Sequence, residues 1–258
     1  MIEALSHTRL MALRHARSLI RQPWYVAFTL VQPVLYMVLF GELFERVADL
    51  PGFPAGSYIT FLTPGVVAMM ALFSAGWNGV GMIEDLDRGV LDRFLVSPVS
   101  RVSLIAGRIV VLALTLVVQG AILLALGRLL GARYGGGPIG ILVGLGTAVL
   151  LAAPFGALSN AVALMSRRQE SLVGVANFVV SPLTFLSTVF MTEELVPGWI
   201  ATVAAYNPVT WAVEAAREAM SGAVDWGSVG LRAGGLAAIA VVLVLAASRA
   251  LRAYTRSV

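Results

Sequence analysis

Apolar residues in this chain do not alternate with polar ones. They run in blocks close to the roughly 20 residues a helix needs to cross the hydrocarbon layer of a bilayer, and short segments between the blocks hold nearly all of the charge. Six blocks, at 22–44, 58–83, 102–130, 139–165, 171–191 and 230–250, predict an all-α integral membrane protein with six transmembrane helices in a single transmembrane domain, 1–258. The last block is uncharged only over 233–248, so Arg232 and Arg249 have to reach toward opposite interfaces. The first block is too long for the apolar core of a signal peptide and no small-residue cleavage site closes it, which predicts a retained helix.

A seventh uncharged stretch, 195–213, is interrupted by Pro197 and Pro208. Charge parity decides how to treat it. With six spans both termini share a side, and that side receives 13 arginines: 9, 14, 17, 21, 88, 93, 101, 108, 167, 168, 249, 252 and 256. The other side keeps Arg46, Arg128, Arg133, Arg217 and Arg232. Positive charge accumulates on the cytoplasmic side, so both termini and segment 84–101 are expected there. A seventh span would put the arginine-rich C-terminal segment outside. Residues 193–222 are therefore expected to form an outer re-entrant hairpin, with Asn207 capping its second helix, Pro208 at the first helical position and Gly222 at its exit. Glu214, Arg217, Glu218 and Ser221 fall on one face of that second helix, either as a solvated face or as part of an outer gate.

Residues 1–21 are amphipathic at helical period, with Glu3, His7, Arg14, Arg17 and Arg21 opposite Leu5, Ala12, Leu13, Ala16, Leu19 and Ile20. They predict an interfacial helix on the inner leaflet that attracts anionic lipid.

Composition sharpens this picture. The chain is 59% hydrophobic and 12% charged, with a mean hydropathy of +0.87. It has no cysteine, which removes disulfides and thiolate chemistry, and all 18 basic residues are arginine. Without lysine there is no phosphate-binding loop of the Walker A kind, and the only histidines, His7 and His15, lie in the N-terminal segment. The uncharged cores of the spans hold no carboxylate or histidine with which to couple transport to an ion. Any motor is expected on another polypeptide, with no catalytic residue, metal or cofactor on this one.

Within the spans, Gln32, Asn78, Gln119, Asn160 and Asn177 are the larger polar side chains, most simply read as links between helices. Gly140 and Gly144, and Gly230 and Gly234, have the small-xxx-small spacing of close helix packing within the chain. Phe61, Met69, Phe73, Trp77 and Asn78 on the second span, with Asn177, Phe178 and Phe185 on the fifth, either pack the core and face lipid or line a cargo path.

Segment 84–101 is the most polar stretch between two spans. On a short helix ended by Pro98, Asp85, Arg88 and Asp92 share one side and Leu86, Val90 and Phe94 the other. Physics alone leaves two readings, a solvated loop with internal ion pairs and a charged docking surface.

A resemblance separates them. Glu84-Asp-Leu-Asp-Arg-Gly-Val-Leu-Asp-Arg-Phe-Leu-Val-Ser-Pro-Val-Ser-Arg101 resembles the loop after the second span in type-2 ABC exporter permeases, with Val90 for the usual threonine and Asp92 for the usual glutamate. Asn207-Pro-Val-Thr-Trp-Ala-Val-Glu-Ala-Ala-Arg217 resembles the Asn-Pro motif before that family's last span, and Phe185-Leu-Ser-Thr-Val-Phe190 followed by Pro197-Gly-Trp199 looks like the daunorubicin/doxorubicin-type members. The resemblance implies a half-transporter: two permease subunits, identical or not, joined to two ATP-binding subunits that carry the ATP and Mg. It also implies that segment 84–101 is a cytoplasmic coupling helix, with Glu84, Asp85, Asp87, Arg88, Gly89, Asp92, Arg93, Phe94 and Pro98 as the ATPase contact. A cavity lined by spans two and five would export an amphipathic drug, lipid or natural product across a bacterial cytoplasmic membrane, without nucleic acid. Asn207, Pro208, Glu214, Arg217 and Glu218 are the candidate outer gate. A glycan exporter of the same family and a non-transporting membrane scaffold are the alternatives; a stoichiometric ATP-binding partner distinguishes the scaffold.

Overall fold

A computed structural model describes residues 23–54, 56–88 and 101–254. The expected interfacial helix 1–21 lies outside them, as do Gly89, Asp92, Arg93, Phe94 and Pro98 of the island. The described residues form helices and no strand. They are α1 (Pro23–Leu43), α2 (Tyr58–Trp77), α3 (Val80–Asp87), α4 (Arg101–Leu129), α5 (Gly137–Ser166), α6 (Gln169–Phe185), α7 (Gly198–Ala205), α8 (Pro208–Met220) and α9 (Trp226–Tyr254), with 3-10 turns at Glu45–Asp49 and Glu193–Leu195.

Four stretches are long and apolar enough to cross a membrane: Tyr58–Asp87, Gly107–Leu129, Gly137–Ser166 and Trp226–Leu245. The block at 22–44 is helical over Pro23–Leu43, 21 residues, and that at 171–191 is helical but shorter. In the latter, α6 stops at Phe185 after 17 residues, about 25 Å of rise against a hydrocarbon layer of about 30 Å. Pro182 lies in its last turn, and Leu186–Phe190, expected to continue the helix, turn back across the bundle instead.

Contacts between helix ends sort the connections into two groups. At one end the start of α2 meets the loop after α4, where the Arg133 amide donates to Thr60 Oγ1 at 3.1 Å. The start of α5 meets the end of α8, where the Gly136 amide donates to the Met220 carbonyl at 3.1 Å. The Tyr58 hydroxyl there donates to the Phe190 carbonyl at 3.0 Å. At the other end α3 meets α4 through Asp85 and Arg108, and Met82, Ile83, Ala163 and Leu172 form a small apolar cluster joining α3, α5 and α6. Arg167, in the left-handed region at φ 52°, caps α5 and turns the chain into α6. Arg46, Arg128, Arg133, Arg217 and Arg232 thus share the first end, while Arg88, Arg108, Arg167 and Arg168 share the second.

α5 is the hub, packing against α2, α4, α6, α8 and α9. Gly140 lets α8 lie on it, since a β-carbon there would collide with the Ala219 carbonyl, and Gly144 lies beneath the Met220 side chain. Gly230 and Gly234, expected to pack within the chain, face open space. α2 lies inside the bundle, 83% of its most apolar window being buried, whereas α9 is peripheral at 11%.

Candidate functional site

At the second end, α3 carries the described part of the island. Glu84, Asp85 and Asp87 belong to the last two turns of α3 and Arg88 caps it, so this part continues the apolar helix rather than starting a separate one. Asp85 and Arg88 were expected to share a side of a short helix, with internal ion pairing as one of two readings. Instead Arg88 lies 3.7 Å from Glu84, with both side chains largely exposed, a pairing of little energetic weight. Asp85 turns to α4 and pairs with Arg108, whose guanidinium also donates to the Gly81 carbonyl at 2.7 Å. The Arg108 side chain is only 10% exposed and that of Asp85 33%. One guanidinium therefore ties both turns of α3 to α4. Sequence reasoning placed Arg108 on the cytoplasmic side without a partner; its signal was a charge set inside an apolar block, away from its ends.

The candidate lining residues divide. Phe61 and Met69 are buried in the main core, packed among α2 and its neighbours. Phe73 and Asn78 are half-buried, and Trp77 is 48% exposed. Asn177, Phe178 and Phe185 stand on the open face of α6, with Phe178 80% exposed. An uncharged surface on α6 centred on Phe178 is thus free of the rest of the bundle, whereas Phe61 at the start of α2 serves packing.

At the first end, rings form a continuous cluster. Tyr36 stacks on Phe40 at 5.5 Å, Phe40 meets Phe190 edge-on at 5.2 Å, and Phe190 stacks on Phe185 at 6.1 Å. Phe53 contacts Phe61 at 4.9 Å. Arg217 closes this cluster: its guanidinium carbon sits 3.4 Å from the Phe61 ring centroid, Nε donates to the Phe61 carbonyl at 3.0 Å, and Nη2 donates to the Val189 carbonyl at 3.1 Å. The planar fork suits this combination of stacking and two carbonyls. Arg217 thus pins α8 to the start of α2 and to the turn after α6.

Asn207 joins the same parts differently. Its Oδ1 accepts from the Val209 amide at 2.9 Å, capping α8, while Nδ2 donates to the Leu183 and Leu186 carbonyls, both at 2.7 Å, satisfying the frayed end of α6. Pro208 takes the first helical position. Glu214 pairs with Arg232 of α9 at 2.7 Å, and Glu218 accepts from the Asp225 amide at 2.9 Å. The face expected to be either solvated or gating therefore makes specific contacts with four other segments. Nearby, burial pushes the Glu193 carboxyl above the ordinary carboxylate range and the Glu214 carboxylate adds to the rise, with Arg232 opposing it.

These observations define a helical membrane protein with a charge-clamped end, an aromatic end stapled by Arg217 and Asn207, and an open aromatic face. Among the described residues no cluster of side chains fits a metal ion. The chain matches the model of the ABC-2 type transporter family over residues 6–221. It belongs to that family. It is 29% identical over 202 residues to the daunorubicin resistance ABC transporter permease protein DrrB1 of Streptomyces coeruleorubidus, covering 78% of this chain and 70% of the relative. It is 28% identical over 223 residues to the probable doxorubicin resistance ABC transporter permease protein DrrC of Mycobacterium tuberculosis, covering 86% and 78%. To the inner membrane transport permease YadH of Escherichia coli it is 26% identical over 204 residues, covering 76% and 77%.

Proposed function

We propose that this chain is the transmembrane subunit of an ATP-driven exporter, with six spans, both termini cytoplasmic, in a bacterial cytoplasmic membrane. A separate ATP-binding subunit hydrolyses ATP on Mg, and two permease subunits, identical or different, enclose the path. The match to ABC-2 type transporters over residues 6–221 carries the reading, and the relatives named for daunorubicin and doxorubicin resistance favour an amphipathic drug, lipid or natural product as cargo. The open, uncharged face of α6 suits such a molecule: apolar surface supplies affinity without requiring a fixed pattern of polar groups. Push and pull from the ATPase enter through segment 84–101 and reach α4 by the Asp85–Arg108 pair, while the α7–α8 hairpin closes the outer end from within the outer leaflet.

The test is reconstitution in vesicles with an ATP-binding subunit that co-purifies with it, using daunorubicin fluorescence as the probe. Accumulation against a gradient that needs both the partner and ATP is the expected result. Uphill movement by this chain alone overturns the reading.

A further inference from the structure

α6 stops short of the outer end, and α8 starts where it stops. Asn207, the cap of α8, donates through Nδ2 to the Leu183 and Leu186 carbonyls at the end of α6. The carbonyl end of one helix thus meets the amide end of the other, and both helices pack on α2 and on α5. Their lengths fit an end-to-end arrangement. α6 has 17 residues and α8 has 13, about 45 Å of rise together, and the 30 residues of α5 also rise about 45 Å. α2 gives a second ruler. Arg217 of α8 donates to its Phe61 carbonyl, and a β-carbon on its Gly76 would touch Val180 and Ala176 of α6, two levels about 22 Å apart along α2. Arg217 back to Asn207 on α8 and Leu186 back to Val180 on α6 cover about 24 Å between them.

Glu214 and Arg232, paired at 2.7 Å, are the last charges before the uncharged stretches of α8 and α9, and they mark the outer edge of the hydrocarbon. Asn207 lies two turns of α8 further in, about 10 Å into a layer of about 30 Å. The end of α7 is held at a similar level: the Trp211 indole, whose ring lies against Gly235 of α9, donates to the Ala205 carbonyl at 2.8 Å. α7 carries no charge. Trp199, Val203 and Tyr206, on one side of it and its exit, are 64%, 43% and 78% exposed. On the same side the Thr202 hydroxyl donates to the Gly198 carbonyl at 2.9 Å, so its polarity is met within the helix.

We infer that α6 and α8 form one split span joined by Asn207 inside the bilayer, and that α7 lies in the outer leaflet with Trp199, Val203 and Tyr206 as its lipid face. The partner is the boundary between headgroups and acyl chains of a phospholipid leaflet. The depth of Asn207 and Ala205 puts acyl chains beside this face, and apolar rings with polar tips suit that boundary. Asn207 is the positioning residue, since it fixes how far the hairpin enters. This deepens the outer-hairpin part of the proposed function and rests on it for the sidedness of the bilayer.

The chain has no cysteine, so Trp199→Cys, Val203→Cys and Tyr206→Cys, made singly, carry spin labels without background. Power-saturation EPR on the full chain in phospholipid nanodiscs, with neither ATPase nor cargo, compares collisions with oxygen and with a water-soluble nickel chelate. Arg133→Cys, exposed between α4 and α5, reports water, and Val241→Cys, 58% exposed on α9, reports acyl chains deep in the bilayer. The α7 labels are expected between these references, about 5–10 Å below the headgroup boundary. Asn207→Asp keeps an acceptor for the α8 cap but cannot donate to the Leu183 and Leu186 carbonyls, and is expected to shift the labels at 203 and 206 toward the Arg133 value. If a labelled variant does not insert, Trp199→Phe is expected to lose part of the tryptophan quenching by lipid brominated near the headgroup, and unchanged quenching overturns the lipid face. Nickel access equal to that at Arg133, a depth equal to that at Val241, or exclusion of both reagents, as under a second copy, overturns it as well. Depths unchanged by Asn207→Asp overturn the split span. Failure of ATP-driven daunorubicin transport leaves these depths untouched, so the two readings fail separately.

Discussion

The clamp between α3 and α4 offers the sharpest energetic test. Asp85→Asn keeps the shape of the side chain and removes its charge, leaving the Arg108 guanidinium, 10% exposed, with the Gly81 carbonyl as its described remaining partner. A charge-assisted bond is worth about 1.5–3 kcal/mol, and stranding one partner of a fully buried pair costs about 3–5 kcal/mol. Because Asp85 is one-third exposed, water screens part of the interaction, and the expected cost is about 2–3 kcal/mol. Arg108→Met removes the cation and leaves a carboxylate that reaches solvent, so its expected cost is smaller, about 1–2 kcal/mol. The double variant leaves no unpaired charge and is expected to cost no more than Asp85→Asn alone, which gives a coupling energy of about 1–2 kcal/mol. Reversible unfolding in mixed micelles, followed by tryptophan fluorescence, measures all four proteins of the cycle. Single-variant costs that simply add would show that the pair contributes no interaction energy, and would refute the clamp as the link between α3 and α4.

Arg217→Lys keeps the charge but loses the planar fork, so unfolding stability is expected to fall by about 1–2 kcal/mol, and Arg217→Met by somewhat more; a lysine variant as stable as wild type would count against the paired carbonyl contacts. Asn207→Leu removes the α8 cap and both bonds to the end of α6, an expected loss of about 2 kcal/mol by the same unfolding assay. Gly140→Leu forces α8 off α5 and is expected to prevent a stable fold, read as aggregation in detergent by size-exclusion chromatography, whereas Gly230→Leu, facing open space, is expected to leave the monomer's thermal midpoint unchanged. Charge reversal at Arg88 is expected to preserve insertion while lowering ATP-dependent transport in the reconstituted complex; unchanged transport there would remove Arg88 from the coupling surface.

What sequence made legible was local or imposed by the solvent. Apolar blocks are readable because a bilayer leaves a helix no other way to satisfy its backbone. The Asn207 cap and Pro208 are readable because both act on the next turn of their own helix. The family resemblance came from short motifs for the same reason. Each feature that stayed hidden depends on a partner distant along the chain. Asp85 chose Arg108 on α4 over Arg88 in its own segment, because the contact with α4 shields the pair from water while the local one stays exposed. Phe61 and Phe178 have the same chemistry, and only the crowding of α2 against the openness of α6 assigns one to packing and the other to the free face.

The break at Asn78–Gly79 shows the rule at its strongest. Gly76-Trp77-Asn78-Gly79 carries a local turn signal in its Asn-Gly pair, but the Ser159 hydroxyl that takes up the Gly79 amide and the Gly76 carbonyl sits 80 residues or more away. A membrane helix leaves its regular path only where a neighbour supplies the hydrogen bonds it gives up. In a permease the places where spans are irregular are therefore the places where one span holds another. If the spans are to move, motion should concentrate there, since regular helix pairs lose packing along their whole length when they slide, whereas a bridged break exchanges a few hydrogen bonds for others.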